Sequence, residues 1–222
     1  DADDYWKPEY LERVAALIGR YPGCGLYSMG FEVHRPEGVF PNETVMQEGI
    51  VGNYFRTAMR VNLTQTSSVT IPRAVFERLG GFPEGMKLGE DQYVWTKIAR
   101  TYPVCYSPQR FSEFNLMAQN RSAQNYKMER TPYSFWEFYD PGTPDCNEYI
   151  ARCEIGKALV HSVYGYTDAA LEVERRYSYN RHYRLGWWKL RILNRLPVMW
   201  RRPLLDSYKR VTWLVSKKGL LG

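Results

Sequence analysis

An α/β domain followed by a mainly helical, basic region is the fold class this sequence predicts, on three observations. Over the first 107 residues, stretches with helical spacing of apolar residues alternate with short extended runs, in the order helix, strand, helix, helix, strand. From about residue 110 the character changes, and long helical patterns dominate after residue 147. Charge divides the same way. Residues 181–222 carry eleven Lys and Arg against one acid, Asp206, a local charge of +10 in a chain whose net charge is +6. The rest of the chain is therefore mildly acidic, at −4.

The elements follow in order. PEYLERVAALIGRY reads as a helix, with Pro8 at its first position and Leu11, Val14, Ala15 and Ile18 on one face. Residues 21–62 are turn-rich and read as irregular, with PGCG and RPEG as loop markers. LTQTSSVTI (63–71) alternates and is β-branched, which predicts a strand. Pro72 starts a short helix, PRAVFERLGG, with Val75, Phe76 and Leu79 as its apolar stripe and Gly80 as its stop. After a glycine-punctuated loop, DQYVWTKIARTY is helical and buries Val94, Trp95, Ile98 and Ala99. PVCYS (103–107) is a short strand. Residues 147–177 form a helical stretch broken near Gly165. RHYRLGWWKLRILNRL is a further helix, with Trp188, Ile192, Leu193 and Leu196 on one side.

Composition excludes several classes. Hydrophobic residues at 44% and aromatics at 15% rule out a disordered or collagen-like chain. No apolar run approaches the length of a membrane-spanning helix. The four cysteines, Cys24, Cys105, Cys146 and Cys153, form no CxxC pair, and they read as reduced structural thiols of a cytosolic protein. N-x-S/T triplets at Asn42, Asn62 and Asn120 are common by chance.

Two acidic clusters carry the candidate chemistry. Asp1-Ala2-Asp3 is an acid-x-acid triplet, and two such carboxylates in a loop can hold one hard divalent ion, which in turn grips a diphosphate. Alone the triplet is a weak signal: Glu172-x-Glu174 has the same form inside a helical stretch, where the two side chains point apart. The second cluster, Gly89-Glu90-Asp91, opens the helix that holds Trp95. Acids there also cap free N–H groups and offset the helix dipole without any chemistry.

Order and context change that balance. DADDYWKPEYLE, then TSSVTIPRAVFERLGGFPE, then GEDQYVWTKIAR make a series of phrases that resembles the family 2 glycosyltransferases over residues 1 to about 115. The resemblance implies a GT-A fold, here a partial one lacking its N-terminal nucleotide-binding half. Residues 1–115 would be the acceptor-side half of the domain and 116–222 a mainly helical, basic C-terminal extension. It further implies transfer, with inversion, of a sugar from a nucleotide-diphosphate sugar to an acceptor hydroxyl. Cell-envelope or surface polysaccharide and glycolipid synthesis is the expected setting. Carried over residue by residue, Asp1 and Asp3 match the metal-holding pair for Mg²⁺ or Mn²⁺, with Asp1 also near the donor's ribose and diphosphate. Asp4 matches a further acid on the substrate side. Asp91 matches the catalytic base, and Glu90 its partner in the acceptor site. Gly80, Gly81 and Phe82 match the loop that shapes the acceptor side, and Arg121 lies where many relatives place a basic residue that meets the diphosphate. No Q-x-x-R-W phrase follows Glu90-Asp91, which argues against a processive polysaccharide synthase. The abrupt start reads as a cut between donor half and acceptor half, which would leave this piece inactive by itself.

The division of labour suits the chemistry. A departing nucleoside diphosphate develops negative charge that a bound cation stabilises, while a carboxylate on the other side of the sugar takes the proton of a weakly nucleophilic hydroxyl. The basic, Trp-rich segment 181–222 fits an anionic membrane, a nucleic acid, or a helical cap whose Trp residues are core. The resemblance favours the membrane over nucleic acid and a cytoplasmic protein at the inner face of the cell membrane. A non-catalytic membrane- or partner-binding module that keeps the fold is the alternative reading.

Overall fold

The computed structural model describes residues 2–42, 46–86, 89–117 and 133–217, with side chains to residue 207. It is a mixed α/β chain that divides into two compact units, Asp1–Tyr149 and Ile150–Gly222.

The first unit is built on a six-stranded sheet. Its strands are β1 (Tyr5–Trp6), β2 (Leu26–Arg35), β3 (Gly38–Pro41), β4 (Gly49–Ile50), β5 (Val69–Thr70) and β6 (Val104–Asn115). The order β1-β6-β2-β3 runs across the sheet, with β4 also on β6 and β5 also on β2. β2 and β6 are the central, parallel pair, with an irregularity between Met29 and Phe31; every other pairing is antiparallel. Helices α1 (Tyr10–Arg20), α2 (Tyr54–Ala58), α3 (Arg73–Arg78) and α4 (Glu90–Thr101) complete the unit, with 3-10 turns at Thr66–Ser68 and Phe135–Phe138. α1 packs on the sheet through Tyr10 and Val14 against Met29, and through Leu17 against Tyr27 and Cys105.

Several sequence expectations need correcting. Residues 21–62 are not irregular: they supply β2, whose first six residues are all buried, together with β3, β4 and α2. A strand covered on both faces has no polar alternation to betray it, and Ser28 and Gly30 break its apolar run. The strand expected over 63–71 shrinks to Val69–Thr70, because the polar side chains before it bond their own backbone. Gln65 Oε1 accepts from the Ser67 N–H at 2.8 Å and Ser68 Oγ donates to the Gln65 carbonyl at 2.9 Å. The strand expected to stop at residue 107 continues to Asn115. On α1 the buried face is Tyr10, Val14 and Leu17, whereas Leu11 and Ile18 are exposed. On α3 only Val75 is buried; Phe76 and Leu79 are half-buried.

The second unit is helical. The unit boundary falls within α5 (Pro144–Val163), which is followed by α6 (Thr167–Arg176), α7 (Arg184–Arg195) and α8 (Val198–Lys217), and the break near Gly165 is where the sequence placed it. Glu174 clamps α6 to α7: its carboxylate accepts from Asn194 at 2.9 Å and pairs with Arg195 at 3.0 Å, while its carbonyl accepts from the Trp187 indole at 2.8 Å. Burial pushes the Glu174 carboxyl up, but Arg195 and Asn194 outweigh it and hold the group below its ordinary value. The inward face of α7 is Trp187, Leu190 and Leu193; Trp188 and Ile192, read from the sequence as sharing one side with Leu193, are exposed. No helix among the described residues is long and apolar enough to cross a membrane.

Candidate active site

The acidic phrase at the start of the chain enters the sheet at β1. Asp1 lies outside the described residues, and Asp3 is half-buried in the turn ahead of β1. Asp4 is thoroughly engaged. Its Oδ2 accepts from Ser67 Oγ at 2.6 Å and Gln65 Nε2 at 2.9 Å, and its Oδ1 accepts from the Asn115 N–H at 2.9 Å. Asp4 thus ties β1 to the 3-10 turn at Thr66–Ser68 and to the last residue of β6. Trp6 reinforces the same junction by donating from Nε1 to the Ser67 carbonyl at 2.6 Å. Asp4, Trp6, Thr66 and Ser67 line a cleft of about 410 Å³.

The second acidic cluster opens α4. Gly89 is the N-cap at φ +77°, a left-handed conformation that the absence of a Cβ permits; a Cβ there would also meet the Phe135 ring at 3.7 Å. Glu90 and Asp91 occupy the first turn, facing the positive end of the helix dipole. Burial pushes the Asp91 carboxyl up, partly offset by the N–H groups of Gln92 and of Asp91 itself. The Gln92 N–H donates to Asp91 Oδ1 at 2.7 Å. Burial also raises Glu90, again offset by a backbone N–H, with the neighbouring Asp91 charge pushing it further up. Two adjacent carboxylates, both more basic than usual, are an arrangement suited to accepting a proton.

Gly81 and Phe82 border the same helix. α3 ends with Gly80 and Gly81 both left-handed, and the Gly81 N–H donates to the Phe76 carbonyl at 3.0 Å. A Cβ on Gly81 would press on the Phe76 ring at 3.0 Å. This turn sets Phe82 against Phe76, with ring centroids 5.5 Å apart, and against Trp95 at 6.1 Å. Lys97 Nζ donates to the Leu79 carbonyl at 2.8 Å and fixes α4 to the end of α3. Below the acids, Tyr93 donates to Glu137 at 2.6 Å, and burial with that carboxylate drives its hydroxyl pKa far up.

The two clusters sit on different elements: α4 joins the start of β6 by its C-terminus, through Tyr102 and Pro103 alone, whereas Asp4 holds Asn115 at the far end of that strand. Arg121 lies outside the described residues.

One cluster had no mark in the sequence. Glu32 and His34 of β2 and Glu113 of β6 place ligand atoms within 4.8 Å of one another. The cluster is already engaged: Lys7 Nζ is 2.9 Å from Glu32, and His34 Nε2 is 3.1 Å from Glu113. Only the register Glu32↔Glu113 brings these residues together from 81 positions apart. A larger cavity, about 740 Å³, lies at the other end of α4, with Arg100, Tyr102, Asp140 and Asp145 on its wall. Its α4 residues, Ala99 and Arg100, are about 12–14 Å along the helix axis from Asp91, and it holds none of the expected site residues.

No family model and no curated protein matches this chain. Among solved structures, the chain is similar to S. aureus TarS 1–349 in complex with UDP-GlcNAc, with TM-score 0.53 and 15% identity, over 95% of this chain and 66% of that one. The chain thus spans just under two-thirds of that structure, and the likeness shows a glycosyltransferase-like fold.

Proposed function

We propose that this chain carries the acceptor side and the metal-holding acids of an inverting glycosyltransferase, which moves a sugar from a nucleotide-diphosphate sugar to an acceptor hydroxyl. Glycan or glycolipid acceptors of the cell envelope are the substrate class. The observation that carries this reading is the Glu90–Asp91 pair, half-buried at the N-terminus of α4 and made more basic by burial, in a fold similar to a structure that holds UDP-GlcNAc.

In this reading Asp91 takes the proton of the acceptor hydroxyl as the new bond forms, and Glu90 orients the acceptor. Phe82, held by Phe76 and Trp95 and still exposed on its outer side, gives the acceptor sugar an apolar face to rest on. Gly81 keeps that ring in place. Asp4 supports the donor side indirectly, because its three hydrogen bonds, to Gln65, Ser67 and Asn115, anchor the chain directly after Asp3. Those bonds leave Asp3, a hard oxygen donor in the adjoining turn, to act with Asp1 as ligand for Mg²⁺ or Mn²⁺. That cation, when bound, neutralises charge on the departing diphosphate. Arg121 is proposed to meet the same diphosphate.

Asp91→Asn is the test. In the protein that carries this chain, the variant is expected to lose transfer by at least about a hundredfold while binding the nucleotide sugar as before. Unchanged turnover rejects Asp91 as the base. Absence of donor binding in both proteins favours a non-catalytic module.

A further inference from the structure

We propose that α7 and the start of α8 form a surface that docks on an anionic lipid membrane. α7 is apolar on two faces. Trp187, Leu190 and Leu193 turn inward and are buried. Leu185, Trp188 and Ile192, spaced three and four apart, turn outward and are 78%, 47% and 54% exposed. The start of α8 carries exposed apolar side chains as well: Met199 and Trp200 are 75% and 61% exposed, and Leu204 is also outside.

The charges around it decide the partner. No acid occurs anywhere in residues 181–205. The Arg184 guanidinium lies 4.6 Å from the Trp187 ring centre and that of Arg191 lies 5.1 Å from the Trp188 ring, which brings cations to one flank of the stripe. By helical angle Lys189 falls on the other flank, and Arg202 is exposed on α8. Apolar side chains with two indoles, edged by cations, match the boundary between acyl chains and anionic headgroups. A second copy of the chain fits poorly, since it would set like charges against each other. Nucleic acid fits poorly too, because Leu185, Ile192 and Met199 offer neither stacking planes nor hydrogen bonds to bases. With no spanning helix among the described residues, the helices lie on the surface.

The test sediments the 222-residue chain with vesicles of phosphatidylcholine alone and of phosphatidylcholine with phosphatidylglycerol, at low and high salt. Binding is expected only to the anionic vesicles, weakening with salt and shifting Trp fluorescence to the blue. Trp188→Ala with Ile192→Ala should lower partitioning about tenfold; the edge contact of Trp188 with the buried Trp187 ring is lost as well, so partitioning is compared at a temperature where both proteins are fully folded. Arg191→Gln with Arg202→Gln should lower it by a similar, roughly tenfold factor at low salt, which keeps the test valid should the apolar variant fold poorly. No binding, equal binding to neutral vesicles, or binding indifferent to both double variants overturns the proposal. So does a dimer or a nucleic-acid complex lost in Trp188→Ala/Ile192→Ala without vesicle binding. None of these readouts involves a sugar donor, so their failure leaves the proposed transfer reaction untouched.

Discussion

Charging Asp91 carries a cost that the rest of the fold must cover. Burial raises its folded pKa above the ordinary 3.8, so the folded chain binds a proton more tightly than the unfolded chain does. Stability therefore falls as pH rises from that ordinary value through the raised one, and the full cost is present above it. Asp91→Asn should melt higher than the parent at neutral pH, with the gain vanishing as pH approaches 3.8. Melting curves across pH check this, and a lower melting point at neutral pH would reject it. Asp4 does the opposite work. Asp4→Ala leaves the Asn115 N–H, Ser67 and Gln65 without their acceptor and should cost about 2–3 kcal/mol in urea denaturation. Asp3 and Asp4 are indistinguishable as letters. Their different surroundings follow from the hydrogen-bond partners, which sit 61 to 111 residues away.

Elements were legible where a local signal was enough. α4 begins where Gly89, Glu90 and Asp91 announce it, and α5 and α6 part at Gly165. β2 was illegible because a strand buried on both sides shows no alternation, and α1 and α7 were read one face off. An apolar stripe shows that a helix has a covered side. Where two stripes compete, as with Trp187/Leu190 and Trp188/Ile192, the packing partner chooses between them. Arg201 makes the same point for charge. It counts as one of the tail's cations, yet it is 3% exposed and donates to the carbonyls of Ser162, Asn194 and Leu196 and to Thr167 Oγ1. It buckles α5, α6, α7 and α8 together through carbonyl and hydroxyl oxygens. Arg201→Met should therefore destabilise the helical unit by about 2–4 kcal/mol, read as a loss of helical signal at lower urea.

Over the whole molecule, opposing groups shape the response to acid. His161 is buried beside Lys157, and burial first, then that charge, lower its pKa from 6.5 to about 4. The unfolded chain binds this proton first, so stability is lost as pH falls from 6.5 to about 4, by about 3 kcal/mol in full. Glu90 and Asp91 push the other way as they are protonated. His161→Leu should remove the loss in that window and leave the parent's behaviour above pH 7 unchanged; an identical pH profile for the two proteins would count against the assignment.

By itself the sequence determined the α/β-to-helical order, the acidic phrases with Gly81 and Phe82 between them, and the concentration of positive charge after residue 180. These rest on neighbours in the chain: spacing, caps and counts of charge. Only the tertiary structure decided that β2 and β6 form the centre of the sheet, that Asp4 is bound up in holding the turn and strand together, and that Trp188 and Ile192 face outward. Those outcomes depend on which distant surfaces compete for burial and which distant donors satisfy a carboxylate, and a local pattern carries no record of either.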